Sequence, residues 1–186
     1  MGMALSFLPF VLFLVTESLI GVRTGLVSAT VLAWNLLLRH QAVKVLEIGT
    51  TGLFAVLAVC AFLLKPAWSL AGVRACVDGG LLGIVLVSLA LRRPFTLQYA
   101  REQVAPALWE KPEFVRANYV ITAAWALVFA VMVTADLVLL STPRMSVLIG
   151  VAVTAAAILG AARFTSWYTA HRRRFLILCE ALLRKS

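Results

Sequence analysis

The stretch "ANYVITAAWALVFAVMVTADLVLL", residues 117–140, decides the fold, because it is apolar over most of its length and carries a single charged residue, Asp136. About 20 apolar residues are enough for a helix to cross the hydrocarbon core of a bilayer. The whole chain agrees with this stretch: hydrophobic residues make up 62% and charged residues only 13%, and the mean hydropathy is +0.98. Soluble domains are typically about 25% charged. The sequence therefore predicts a membrane protein.

Further apolar runs of similar length occupy the rest of the chain, at residues 4–22, 24–39, 46–64, 77–92 and 146–167. Together with residues 117–140 they predict an all-α, polytopic transmembrane helix bundle of about six spans. The runs 24–39 and 77–92 are the weakest. Since 77–92 begins with "VDGG", five spans or a re-entrant fourth segment stay open.

The predicted spans divide the chain into four parts. Residues 1–93 hold the first three to four transmembrane helices, 94–116 form a linker, 117–170 hold the last two helices, and 171–186 form a basic tail. We expect Pro94 and Pro112 to open helices in the linker, since proline suits a first helical turn.

The linker and the tail both have the pattern of amphipathic helices at a membrane surface. For residues 95–105 we expect a helix in the headgroup layer, with Trp109 and Phe114 as interfacial anchors. In the tail one face is apolar, formed by Phe175, Leu178, Cys179, Leu182 and Leu183. Its basic residues predict an anionic inner leaflet as the partner, and a partner-binding helix is the alternative.

The positions of the basic residues predict the orientation. With six spans and an inside N-terminus, the outer side receives only Arg23, Lys65, Arg74 and Arg144. The other thirteen fall on the inner side: Arg39, Lys44, Arg92, Arg93, Arg101, Lys111, Arg116, Arg163, Arg172, Arg173, Arg174, Arg184 and Lys185. Cytoplasmic flanks retain Lys and Arg, so both termini are predicted to be cytoplasmic. Basic residues placed in this way do not indicate a nucleic-acid partner.

Polar residues inside the spans are costly, so they are the first candidates for function. In 117–140 one line of the helix carries Asn118, Thr122, Trp125, Phe129, Met132 and Asp136, and in 4–22 one line carries Ser6, Phe10, Phe13, Glu17 and Gly21. Both lines should face protein or water. They put Glu17 and Asp136 near the outer end, at the level of Arg23, Arg74 and Arg144. A structural lock between these charges is favoured, and a proton or cation site is the alternative.

A second polar group is predicted at the inner end. It comprises Asn35 and Arg39, on a line with Thr24 and Ser28, together with Glu47, Arg93 and Asn118. These residues could form the mouth of a solute path, but ordinary packing at helix ends is favoured. Small residues predict close helix packing, at Gly79 and Gly83 in a GxxxG arrangement and along Gly150, Thr154, Ala157 and Ala161.

No motif for catalysis, metal binding or a cofactor is present. The chain has no HExxH, no GxSxG and no glycine-rich phosphate loop, and Cys60, Cys76 and Cys179 lack the spacing of metal ligands. We therefore expect no catalytic residue, no metal and no cofactor.

The segments "LRRPFTLQYA" and "LWEKPEFVRANYVITAAWALVF" resemble the bacterial inner-membrane proteins grouped around intracellular septation protein A. Arg93, Pro94 and Thr96 stand where that family has a Lys-Pro-Thr element, with Phe95 inserted between Pro94 and Thr96. The resemblance implies a non-enzymatic role in the cell envelope or in septation, through contacts with envelope proteins or a second copy of the chain. A small transporter or channel for an ion or solute, using the intramembrane carboxylates, is the alternative.

The charge asymmetry predicts the outcome of a topology experiment. Reporter fusions placed after Ser186 and within residues 95–115 should both report the cytoplasm, and a fusion within 141–145 should report the outside, because positive flanks stay inside. A cytoplasmic signal from a fusion at residue 143 would refute the six-span arrangement.

Overall fold

The computed structural model describes residues 6–39, 44–63, 69–142 and 147–183, with the side chains of the last range described to Arg172. Within these ranges the regular structure is entirely helical. The helices are α1 (Leu8–Leu19), α2 (Val22–Arg39), α3 (Val45–Leu63), α4 (Leu70–Ala90), α5 (Phe95–Arg101), α6 (Pro112–Ser141) and α7 (Val147–Leu183), with one 3-10 turn at Pro106–Leu108. The predicted all-α bundle is confirmed.

Apolar side chains cover the outside of the bundle as well as its core. Leu19, Leu63, Leu127 and Leu148 are each at least two thirds exposed, which water would penalise and lipid tails would not. Four helices are long and apolar enough to cross a membrane: α3, α4, α6 and the Leu148–Arg172 part of α7. The described parts of α1 and α2 are shorter apolar helices, Leu8–Leu19 and Val22–Leu38.

A turn of only two residues joins α1 to α2 and depends on glycine. Ile20 and Gly21 both donate backbone hydrogen bonds to the Thr16 carbonyl, at 2.9 and 3.2 Å, and Gly21 has a φ of +128°. Glycine adopts such a φ without a steric penalty. Gly25 then lets α2 approach α1, because a Cβ there would lie 3.1 Å from the Glu17 backbone nitrogen. We call the end of the bundle at this turn the hairpin end.

The fourth helix differs from its predicted bounds of 77–92. It begins seven residues earlier, at Leu70. The preceding residue, Ser69, is the N-cap, and its side chain accepts a hydrogen bond from the Gly72 N–H at 3.1 Å. Such an N-cap fixes the start of a helix. The helix has 21 residues and, at about 1.5 Å per residue, it is long enough to cross the hydrocarbon core. Residues 70–90 thus form one continuous helix, without the turn that a re-entrant segment would make.

Close helix packing occurs at other glycines than Gly79 and Gly83. A Cβ on either of these two would meet no other described residue within 4 Å. A Cβ on Gly80 would collide with Leu53 of α3, and one on Gly49 would collide with Ile84 of α4. The α3–α4 contact is therefore made one helix position away from the predicted motif. In α7 the predicted small-residue contact is present, since Gly150 packs against Leu139 of α6.

The linker helix is packed into the bundle and is not a freely exposed amphipathic helix. This helix, α5, ends at Arg101, and four of its seven residues are buried: Phe95, Thr96, Leu97 and Tyr99. It packs against α6 and α4 and plugs one end of the bundle, which we call the linker end. Trp109 is half-buried and donates to the Val104 carbonyl at 3.1 Å, so it folds the linker back on itself. Pro94 and Pro112 do open α5 and α6, as predicted.

The tail continues the predicted span 146–167 without a break, because α7 runs from Val147 to Leu183 as one helix. The boundary predicted at residue 170 is thus not a structural boundary. The apolar face predicted for the tail, from Phe175 onwards, lies outside the described side chains.

Candidate functional site

The polar lines predicted on two helices point into the protein. On α6 all six residues of the line, from Asn118 to Asp136, are buried, whereas Val120, Leu127, Val131 and Val138 on the opposite side are exposed. In the other line, Phe10, Phe13 and Glu17 of α1 and Ser6 just before it are buried too, whereas Gly21 is half-buried. This orientation is confirmed. It follows from the helical period, which keeps residues three and four apart on one face.

Glu17 forms a buried ion pair at the hairpin end. The Arg74 Nε of α4 donates to Glu17 Oε1, and both residues are only 4% exposed. A guanidinium out of water requires such a partner, because an unpaired buried charge costs several kcal/mol. This pair therefore fixes α1 against α4, and Arg74 is the one predicted charge partner that the structure brings to Glu17.

A pair of carboxyl groups lies beside this ion pair. Asp78, one helical turn after Arg74, lies beside Asp136 of α6, close enough for the two carboxyl groups to interact. Both are buried, at 3% and 2% exposed. Two ionised carboxylates side by side repel each other, and neither can donate a hydrogen bond, so this pair is suited to retain one proton between its oxygens. The sequence interpretation missed Asp78, although "VDGG" places an acid one turn after an arginine on the same helix face.

We call these four residues, Glu17, Arg74, Asp78 and Asp136, the charge cluster. Their positive and negative charges do not cancel. One guanidinium faces three carboxyl groups, so even with a proton held by the aspartates one negative charge is left over. The outer oxygens, Oε2 of Glu17 and Oδ2 of Asp136, are buried without a hydrogen-bond partner among the described residues. Buried polar atoms are normally paired, and these two are open to a proton or a water molecule.

Of the two other predicted partners of the acids, only Arg23 is described, and it does not join the cluster. Arg23 is exposed and its guanidinium lies over the Phe62 ring, 5.9 Å from the centroid. Arg144 lies outside the described residues.

At the linker end, hydroxyl groups tie α5 to α6. The Thr96 hydroxyl donates to the Asn118 carbonyl at 3.0 Å and lies 2.7 Å from the Thr122 hydroxyl, which donates to it in turn. The Asn118 side chain donates to the Phe114 carbonyl of its own helix at 2.9 Å. Asn118 and Thr122 thus have their predicted place at a polar helix end, and their partner is Thr96.

A second chain of hydrogen bonds ties α5 to α1 and α3. The Tyr99 hydroxyl donates to Ser6 and the Ser6 hydroxyl donates to Glu47 Oε1, both at 2.9 Å. Burial raises the pKa of Tyr99, so this phenol keeps its proton. Lys44 Nζ lies 2.8 Å from Glu102 Oε1 and 4.0 Å from Glu47 Oε1. The buried side of the linker helix is therefore polar at its contacts with both neighbours.

The predicted inner polar group is divided by the structure. Glu47 and Asn118 belong to two separate hydrogen-bonded sets at the linker end. Asn35 is exposed and donates to the Val31 carbonyl of its own helix at 2.8 Å, and Arg93 is exposed. The side chain of Arg39 is outside the described side chains. The described residues of this group therefore do not come together as a single mouth.

Apolar side chains separate the charge cluster from the linker end. Along α1, Phe10 and Phe13 lie between Ser6 and Glu17, and along α6, Phe129 and Met132 lie between Thr122 and Asp136. All four are buried, at 2% exposed or less. Phe13 also contacts Phe54 of α3, with the ring centroids 5.7 Å apart. The bundle thus has two polar ends and an apolar middle layer.

No group of three His, Cys, Asp or Glu residues in the described ranges converges as metal ligands would. Comparison with family models, curated proteins and solved structures gives no match. The resemblance to septation protein A stays a prediction, and the function has to be inferred from the geometry of the bundle.

The Thr96 contacts predict a specific loss of stability. Thr96→Val keeps the shape of the side chain but leaves the Thr122 hydroxyl without its acceptor, so the free energy of unfolding in detergent should fall by about 1–3 kcal/mol. Thr134→Val is the matched control, because Thr134 is exposed and bonds only to the Ala130 carbonyl of its own helix. Equal stability of the two variants would contradict a stabilising role for the α5–α6 contact.

Proposed function

We propose that this chain is a non-enzymatic, multi-pass protein of a bacterial-type inner membrane, with both termini in the cytoplasm, whose interior conducts protons. The observation that carries the proposal is the charge cluster, in which three buried carboxyl groups accompany one guanidinium.

The cluster contains more acid than helix packing needs. A lock between helices is complete with one acid for one base, and Glu17 with Arg74 meets that requirement. Further acids in a span are costly and mark proton or ion pathways more often than packing sites. Asp78 and Asp136 lie side by side on two different helices, and a proton shared between them could be accepted from one side and passed to the other.

The two polar ends of the bundle define the path that this proton would follow. The Tyr99–Ser6–Glu47 chain consists of hydroxyls and a carboxyl within hydrogen-bond distance, so it has the donors and acceptors of a relay at the linker end. Between it and the charge cluster lies the layer of Phe13, Phe129 and Met132. Water entering that layer would join the two ends, and a dry layer would close the path, as hydrophobic constrictions do in channels.

The second candidate is a scaffold in the cell envelope or in septation, acting through contacts with envelope proteins or with a second copy. The observation in its favour is the plug: α5 is tied to α1, α3 and α6 by hydrogen bonds, which makes the linker end a fixed platform. The sequence resemblance points the same way. A scaffold needs no exchangeable proton, so a proton-flux measurement separates the two candidates.

The proposal predicts that the acids of the cluster respond differently to neutralisation. Asp136→Asn should abolish proton flux yet leave the melting temperature nearly unchanged, because the new amide donates to Asp78 where the proton did. Glu17→Gln should instead unpair Arg74 and lower stability by about 3–5 kcal/mol. Flux is measured as the change in internal pH of proteoliposomes after a potassium–valinomycin potential is applied, and stability as thermal melting in detergent.

Two controls complete this experiment. Glu110→Gln removes an exposed linker carboxylate and should change neither readout. Arg144→Gln tests whether that residue supplies a further base to the cluster, in which case it would destabilise the protein as Glu17→Gln does. Wild-type proteoliposomes without flux above empty vesicles would refute proton conduction and favour the scaffold.

A further inference from the structure

A groove at the linker end is lined by three arginines: Arg92, Arg93 and Arg101, with Pro94, Leu97 and Gln98. Its volume is about 480 Å³. Arg92, Arg93 and Arg101 are exposed, and among the described residues none of them forms an ion pair. Arg101 only lies over the Trp109 ring, 5.5 Å from its centroid. The groove is thus cationic and has no carboxylate of its own.

The turn that carries two of these arginines is fixed by hydrogen bonds. The Arg93 N–H donates to the Ser88 carbonyl at 2.9 Å and the Arg92 N–H to the Leu89 carbonyl at 3.0 Å, the pattern of a Schellman motif at the end of α4. The Ser88 hydroxyl then accepts from the Phe95 N–H at 3.3 Å. The guanidinium groups therefore extend from a rigid base.

Arg92 occupies a backbone position that favours glycine. Its φ is +56°, the one positive φ of a non-glycine residue in the described ranges. The left-handed conformation costs an ordinary residue stability, and glycine at the C′ position of a helix avoids that cost. An arginine held there against its backbone preference indicates a use for its side chain.

An apolar wall of exposed side chains at the end of α4 directly precedes the arginines of the groove in the chain. The last turns of α4 expose Leu86, Val87 and Leu91, the last of these to 67%, directly before Arg92 in the chain. For an α4 that crosses the membrane, exposed apolar side chains would face acyl chains, and the arginines just after its end would lie near the headgroups. A soluble phosphate would use only the arginines, whereas an anionic phospholipid would use both the arginines and the wall.

We propose that this groove is a binding site for the phosphate headgroup of an anionic phospholipid, with its acyl chains against Leu86, Val87 and Leu91. Guanidinium groups bind phosphate oxygens through charge-assisted hydrogen bonds. A zwitterionic lipid fits less well, because its own cation would meet the arginines. The site is independent of proton conduction, since none of its residues belongs to the charge cluster.

The test uses the full chain in nanodiscs of equal parts phosphatidylglycerol and phosphatidylcholine, followed by native mass spectrometry of the lipid that stays bound. The wild type should retain phosphatidylglycerol in preference. The double variant Arg92→Gln/Arg93→Gln should lose roughly thirtyfold in that preference, the product of two arginine contributions at an anionic surface. The double variant Arg116→Gln/Arg163→Gln removes two exposed arginines outside the groove and should keep the preference.

A second variant separates lipid binding from folding. Arg92→Gly should keep or raise the melting temperature in detergent, because glycine suits the φ of +56°, and should still weaken phosphatidylglycerol retention. Equal retention of both lipids by the wild type, or equal losses in the two double variants, would overturn the proposal. Release of the lipid by millimolar inorganic phosphate, with phosphate taking its place, would assign the groove to a soluble anion and overturn the lipid assignment.

Discussion

A guanidinium buried between membrane helices must be matched by a carboxylate, and the pairing of Arg74 with Glu17 is the interaction on which the hairpin end of this bundle depends. It fixes α1, a helix of only 12 residues, against the longer α4. Gly25 supports the pair from α2, because any side chain there would press on the Glu17 backbone. Once Arg74 is placed, Asp78 follows on the same face and meets Asp136 of α6, the helix with which α4 makes its most extensive contacts.

Helical periodicity predicts the parts of the structure that obey a single repeat. The buried line of α6 from Asn118 to Asp136 could be predicted because the opposite face of the helix is apolar. That face suits lipid, so the polar line had to point into the protein. The start of α4 could not be predicted: the predicted span begins at residue 77 and leaves Arg74 on the outer side, whereas α4 begins at Leu70 and buries Arg74. Its partner, Glu17, is 57 positions away in the chain, and pairing at that distance is set by tertiary packing. Because Arg74 lies outside the predicted span 77–92, Asp78 stood at the very start of that span without a partner, and its role was missed.

The linker shows the same limit on a shorter segment. Seven residues make two turns of helix, too few for a periodic pattern to tell a buried face from a membrane-facing one. The partners of α5 also lie far apart in the chain: Ser6, Val45 and Asn118. The amphipathic helix α5 is therefore held in a buried position by hydrogen bonds to three other parts of the chain. The arginines that flank it remain outside, which is why the same segment carries both the plug and the cationic groove.

The central claim is that Asp78 and Asp136 share a proton inside the membrane. Infrared spectroscopy of the protein in lipid at neutral pH measures this directly, because a protonated carboxyl has a C=O stretch distinct from that of a carboxylate. A shared proton predicts such a band in the wild type, its shift on exchange into deuterated water, and its loss in Asp78→Asn, where an amide replaces the shared proton. A wild-type spectrum without a protonated-carboxyl band, or a band that persists unchanged in Asp78→Asn, would contradict it.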